Sequence, residues 1–106
     1  MSRVIFASHG GLSKGMKDSV SMIVGDLAKD VETYSLLPGQ NPEDFYQEVL
    51  KEAKESEEQI LILCDIKGGS VHTALSKLAV LDNVMVFSGM NMGLALDAVM
   101  KSLGGE

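Results

Sequence analysis

The sequence predicts an α/β fold: a parallel sheet in strand order 2-1-3-4, with helices on both faces making three layers. Three observations carry that expectation. Short apolar runs alternate four times with stretches of helical periodicity. The runs at 4–7 and 60–64 are apolar without interruption, as strands covered on both faces are. The first and third runs also stop at or just before glycine pairs, where a strand turns toward a helix at the carboxyl edge of such a sheet. A chain of 106 residues supports one core, so 1–106 reads as a single domain.

The first strand, Val4-Ile5-Phe6-Ala7-Ser8, ends at His9-Gly10-Gly11. Leu12, Met16, Val20, Ile23 and Leu27 then recur at spacings of three and four, which predicts one inward face of an amphipathic helix. Gly15 and Gly25 interrupt it at about 1 kcal/mol each, so packing has to hold it. The second strand, 31–37, is more polar through Glu32 and Ser35, which suits a sheet edge. Pro38-Gly39-Gln40 turns the chain, and Asn41-Pro42-Glu43-Asp44 starts a helix: a capping side chain, a proline suited to the first turn and acids at the positive end of the helix dipole. Its inner face is Phe45, Tyr46, Val49, Leu50 and Ala53, and the charged run from Lys51 to Glu58 is its solvated side and end.

The third strand, 59–65, is the most apolar and therefore central. Lys67-Gly68-Gly69-Ser70 leads into a third helix with Val71, Ala74, Leu75 and Leu78 inward. The fourth strand is 84–87, and a last helix carries Met92, Ala95, Leu96, Val99 and Leu103 before Gly104-Gly105 ends it.

Fifteen acids against nine bases leave a net charge of -6, which argues against nucleic acid or an anionic membrane as partner. Cys64 is the single cysteine, a small core residue at a strand end; no intrachain disulfide is available, and a reducing compartment fits. No apolar run approaches the roughly 20 residues that span a bilayer, and the first strand begins too early for a signal peptide, so a cytoplasmic location is expected. His9, Cys64, Asp65 and His72 have no recognised metal-ligand spacing, so no metal is assigned. The methionines read as core filler and His72 as a rim residue. No G-x-x-x-x-G-K-[ST] loop and no G-x-G-x-x-G after the first strand is present, so no nucleotide cofactor is assigned.

The strand order makes a chemical join. With strands one and three adjacent, His9 and Asp65 meet at the topological switch point, where ligands bind in open α/β sheets. A carboxylate beside an imidazole accepts the Nδ1–H, fixes the tautomer and leaves Nε2 as nucleophile. Glycines allow backbone N–H groups to approach an anion, which marks Gly10, Gly68 and Gly69 as phosphate-site candidates. Ser70 reads equally as a phosphate ligand or as the N-cap of its helix. Together these are parts for phosphoryl transfer onto a histidine, with another phosphoprotein as donor in place of ATP.

The segments S-H-G-G-L-S-K-G at 8–15, D-I-K-G-G-S at 65–70 and S-G-M-N-M at 88–92 resemble the enzyme IIA domain of the mannose family of the bacterial phosphotransferase system. The resemblance implies that His9 accepts phosphate from the phosphocarrier HPr and passes it to an enzyme IIB during sugar uptake, with membrane contact only indirect, through the sugar permease. It gives Asp65 the role of histidine partner, and Ser70 and the backbone after Gly68 that of phosphoryl support. Similar domains occur in transcription regulators and in the phosphotransfer subunit of a dihydroxyacetone kinase system; a free chain without DNA-binding segments favours the carrier. The chain departs from the family pattern at Val71 and Thr73, where proline and asparagine are usual, and at Met92-Gly93, where a Leu-Pro is usual. Members of the family commonly continue into a strand exchanged across a dimer, beyond the point that corresponds to Glu106 here. A long apolar fourth strand at a sheet edge invites a partner, so a homodimer with the fourth-strand side at or near the interface is expected.

Overall fold

The computed structural model describes residues 2–104. Strands β1 (Ser2–His9), β2 (Glu32–Leu36), β3 (Gln59–Cys64) and β4 (Val84–Phe87) form one parallel sheet in the expected order β2-β1-β3-β4. Helices α1 (Leu12–Val24), α2 (Pro42–Lys54), α3 (Ser70–Leu75) and α4 (Met92–Leu103) connect or follow the strands, and 3-10 turns at Gly25–Ala28 and Ser76–Val80 extend α1 and α3.

The strands alternate their side chains between two cores, as strand geometry requires. Ile5, Ala7, Ile60, Ile62, Cys64 and Val84 pack against Val49 and Ala53 of α2 and Val71 and Leu75 of α3. Val4, Phe6 and Leu63 face the other way, against Val20 of α1 and Ala95, Ala98 and Val99 of α4. β1 is buried from Val4 through Ser8, which is why its sequence shows no polar alternation. The α2 start matches its sequence signature: Asn41 Oδ1 accepts from the Glu43 N–H at 3.0 Å, Pro42 takes the first turn, and Glu43 and Asp44 follow. Phe45 stacks on Tyr34 with ring centroids 4.2 Å apart.

Some expectations need correction. The inward face of α1 matches the apolar spacing in part: Val20 is fully buried as expected, but Leu12 and Ile23 are 50% and 63% exposed, and Ser13 is fully buried in their stead. Met16, Val24 and Leu27 complete the packed stripe. The stripe is rotated because Ser13 turns inward to polar partners: its Oγ donates to the Tyr34 carbonyl at 2.9 Å, and its N–H donates to Ser8 Oγ at 2.7 Å. Gly25 does not interrupt the helix but ends it, at φ 62, a conformation that suits glycine. Glu32 marks the sheet edge with a part-exposed side chain, and Arg3 of β1 forks onto it at 2.8 and 2.7 Å and also reaches Glu52 of α2 at 3.0 Å. The third helix is a single α-helical stretch of 6 residues that tightens into a 3-10 turn. Gly104 forms the cap of α4; Gly105 lies outside the described residues. No helix among the described residues is long and apolar enough to cross a membrane.

The two readings of α1 separate experimentally. Val20→Ala is expected to destabilise the fold by about 2 kcal/mol, and Ile23→Ala by less than about 0.5 kcal/mol, in urea denaturation. Equal losses at both positions would restore the face read from apolar spacing.

Candidate functional site

Parallel strands bring their carboxyl ends to one edge, and the β1–β3 pairing sets Ala7 opposite Cys64. His9 and Asp65, the residues just beyond, therefore meet. The His9 backbone N–H donates to Asp65 Oδ2 at 2.9 Å, and His9 Nδ1 lies 2.8 Å from the same oxygen. The other carboxylate oxygen accepts the Ile66 N–H at 2.9 Å. Burial pushes the Asp65 carboxyl up, but the hydrogen bonds from His9 and Ile66 and the nearby imidazole outweigh it, so the group sits below the usual carboxylate range. An ionised carboxylate only accepts. Nδ1 is therefore a donor, and in the neutral ring Nε2 carries the lone pair.

Ser70, the first residue of α3, places its Oγ 3.0 Å from His9 Nε2. With that tautomer the hydroxyl donates and the ring accepts. Gly69 occupies the N-cap position, and no side chain caps this helix, so the capping alternative for Ser70 is not the observed one. The ring is held at both nitrogens, yet the His9 side chain remains 47% exposed, while that of Asp65 is 10% exposed. The imidazole is open to a large partner and its orienting acid is not.

The three candidate glycines surround this pair and shape it. Gly10 has φ 56 and Gly68 φ 79, turns that glycine makes without strain. Gly69 provides room: a Cβ there would lie 2.8 Å from Ile66 Cγ2 and 3.3 Å from His9 Cε1. Their N–H groups are donated within the protein, from Gly10 to the Leu36 carbonyl at 2.9 Å, from Gly69 to the Ile66 carbonyl at 3.3 Å and from Gly68 to His72 Nδ1 at 3.1 Å. In this arrangement the Ser70 hydroxyl is the donor that faces Nε2.

Two residues have structural parts here that the sequence reading did not give them. Ser8 Oγ accepts the Ser13 N–H and donates to the Gly10 carbonyl at 3.3 Å, so it ties the turn after His9 to the start of α1. The signal was a serine closing an otherwise apolar strand before a helix with no capping side chain of its own. His72, expected at the rim, is half-buried and turned onto the loop. Cys64 stays in the core, where burial pushes its thiol up to about 12, so it is inert as a nucleophile.

The lowered Asp65 pKa has a direction that can be tested. A carboxylate held below its ordinary value stabilises the fold above that value, and the contribution is lost as pH falls through the folded pKa. The stability advantage of wild type over Asp65→Asn is expected to be constant near neutrality and to shrink below about pH 4 in urea titrations. An advantage that grows on acidification would reverse the sign.

Comparison with known proteins agrees with this architecture. Residues 3–105 match the protein family described as "PTS system fructose IIA component". The sorbose-specific EIIA component of the phosphotransferase system from Klebsiella pneumoniae is 33% identical over 101 residues, spanning 93% of this chain and 73% of that protein. The mannose/sorbose-specific IIA subunit from Enterococcus faecalis superposes with a TM-score of 0.81 at 27% identity, over 94% of this chain and 76% of its own. The component EIIA from Streptococcus agalactiae gives 0.82 at 26% identity, over 95% and 78%. With a match along nearly its whole described length, a curated relative above the twilight of identity and the same fold in solved members, the chain belongs to the mannose-type enzyme IIA family of the phosphotransferase system.

Proposed function

We propose that this chain is a cytoplasmic phosphocarrier in sugar uptake, taking a phosphoryl group on His9 Nε2 from phospho-HPr and passing it to an enzyme IIB. The observation that supports this most directly is the His9 ring itself: Nδ1 2.8 Å from the Asp65 carboxylate, Nε2 3.0 Å from the Ser70 hydroxyl, and about half the side chain open at the carboxyl edge of the sheet. The relatives' names, each a sugar phosphotransferase component, favour the carrier over a regulatory module or a dihydroxyacetone kinase subunit.

In the proposed step Nε2 attacks phosphorus while the phosphorus–nitrogen bond to the donor histidine breaks, and the departing nitrogen keeps that electron pair. Nδ1 keeps its proton, so the substituted ring is a cation, and the Asp65 carboxylate stabilises it in place. The Ser70 hydroxyl turns from Nε2 to a phosphoryl oxygen. Gly10, Gly68 and Gly69 hold the loops clear of the group rather than neutralising it. Transfer to the enzyme IIB is the same displacement run outward.

A homodimer is part of this reading. On the α4 side of the sheet, Leu61, Leu63, Met85, Phe87, Leu94 and Ala98 line an open groove beside the unpaired edge of β4. Met85 and Phe87 are 53% and 40% exposed, a liability that a second copy would cover.

Incubation with phosphoenolpyruvate, enzyme I and HPr, followed by intact mass, is expected to show one added phosphoryl group, labile in acid and stable in base. His9→Ala is expected to abolish it with the fold retained; label that persists or moves to His72 would overturn the assignment. For assembly, light scattering at micromolar concentration is expected to show a dimer that Met85→Lys moves toward monomer, since burying an unpaired charge costs several kcal/mol. A wild-type monomer would remove the dimer from the reading.

A further inference from the structure

We propose that His72 is a positioning residue for phosphoryl transfer at His9, acting through Gly68; the proposal rests on the phosphocarrier reading. The loop from Asp65 to Ser70 has a demanding task. Its first residue holds Nδ1 of the His9 ring, its last holds Nε2, and two adjacent glycines lie between them. Adjacent glycines have the widest conformational freedom of any pair, so such a loop keeps one shape only if something outside it imposes that shape.

Consecutive residues of α3 do so. His72 Nδ1 accepts the Gly68 N–H at 3.1 Å, and Thr73 Oγ1 donates to the Gly68 carbonyl at 3.4 Å. The Thr73 N–H adds a 2.8 Å bond to the Gly69 carbonyl. Gly68 is thus gripped on its donor and its acceptor, at the left-handed φ of 79 that sets the loop's direction. The longer threonine contact, to the carbonyl, is the weaker of the two, which leaves the His72 bond to the N–H as the main side-chain hold on Gly68. Its action needs a lone pair on Nδ1, hence a neutral ring with the proton on Nε2. That engagement also gives His72 a role other than phosphoryl acceptor: Nδ1 is in use, and the ring is turned onto the loop. Without the acceptor, the Gly68 N–H loses its partner and the glycine is freed, so the distance between the Asp65 carboxylate and the Ser70 hydroxyl is no longer fixed across the imidazole. The expected result is a defect in the transfer step, with docking of the donor unchanged.

The test compares wild type, His72→Leu and His72→Asn in single-turnover transfer from phospho-HPr over a range of donor concentrations. Asparagine offers a carbonyl oxygen near the place of Nδ1; leucine keeps bulk and offers no acceptor. The leucine variant is expected to transfer about tenfold more slowly at saturating donor with its half-saturating concentration unchanged, the loss of about one hydrogen bond's worth of order. The asparagine variant is expected within about twofold of wild type, since the acceptor is restored. A leucine variant as fast as wild type, one altered only in half-saturation, or an asparagine variant as slow as leucine would each overturn the proposal. Nitrogen-15 NMR of the unphosphorylated proteins gives a readout independent of transfer. In His72→Leu the Gly68 amide and the His9 ring nitrogens are expected to shift together, and a Gly68 shift with the His9 signals unmoved would overturn the coupling. If wild type itself takes no phosphoryl group, the carrier reading fails, and the NMR comparison decides the positioning role alone.

Discussion

One carboxylate oxygen carries the candidate site. Asp65 Oδ2 receives both the backbone N–H and the ring nitrogen of His9, so a single acceptor fixes where the histidine begins and where its imidazole points. Two bonds to one atom leave the ring little freedom to rotate. They exist only because β1 and β3 are neighbours in a particular register, with Asp65 N–H donating in turn to the Ala7 carbonyl at 3.1 Å. A slip of one residue between these strands would send Asp65 to the opposite face of the sheet.

The apolar bulk of the chain serves to exclude that slip. Because β1 and β3 are buried on both faces, their side chains interlock with two cores, and a shifted register would expose or misplace residues on both. At the far edge the Arg3 fork onto Glu32, with its third contact to Glu52, ties β1 to β2 and α2. The site end is therefore set by buried strands, and the loops that complete it are short and turned by glycine.

The fold was legible because its signals are long-range patterns: uninterrupted apolar strands, alternating periods and a proline-started helix. His9 and Asp65 were legible for the same reason, since strand order converts two distant sequence positions into neighbours. What stayed hidden was polar geometry. Ser13 contributes nothing to an apolar count, yet its bonds to Ser8 and Tyr34 hold it inward while the neighbouring Leu12 is half exposed. Spacing counts apolar residues and cannot register a buried serine whose hydrogen bonds offset its burial. His72 was hidden likewise, because its part depends on the backbone conformation of a glycine upstream. Ser70 stood between two readings until the N-cap position proved to be Gly69.

The exposure of His9 bears on energy as much as on access. A carrier between two protein partners has to release its cargo as readily as it accepts it, so its phosphorylated form cannot be a deep well. Here the acid that steadies the ring is almost fully covered, whereas the nitrogen that would carry the group faces solvent beside one neutral hydroxyl. No arginine or lysine closes over it in hydrogen-bonding distance among the described residues. The cradle thus orients strongly and binds weakly. Under the proposed carrier reading, such an arrangement would keep the transfer potential of a phosphorylated His9 close to that of a free phosphohistidine, and would leave the direction of flow to whichever partner is docked.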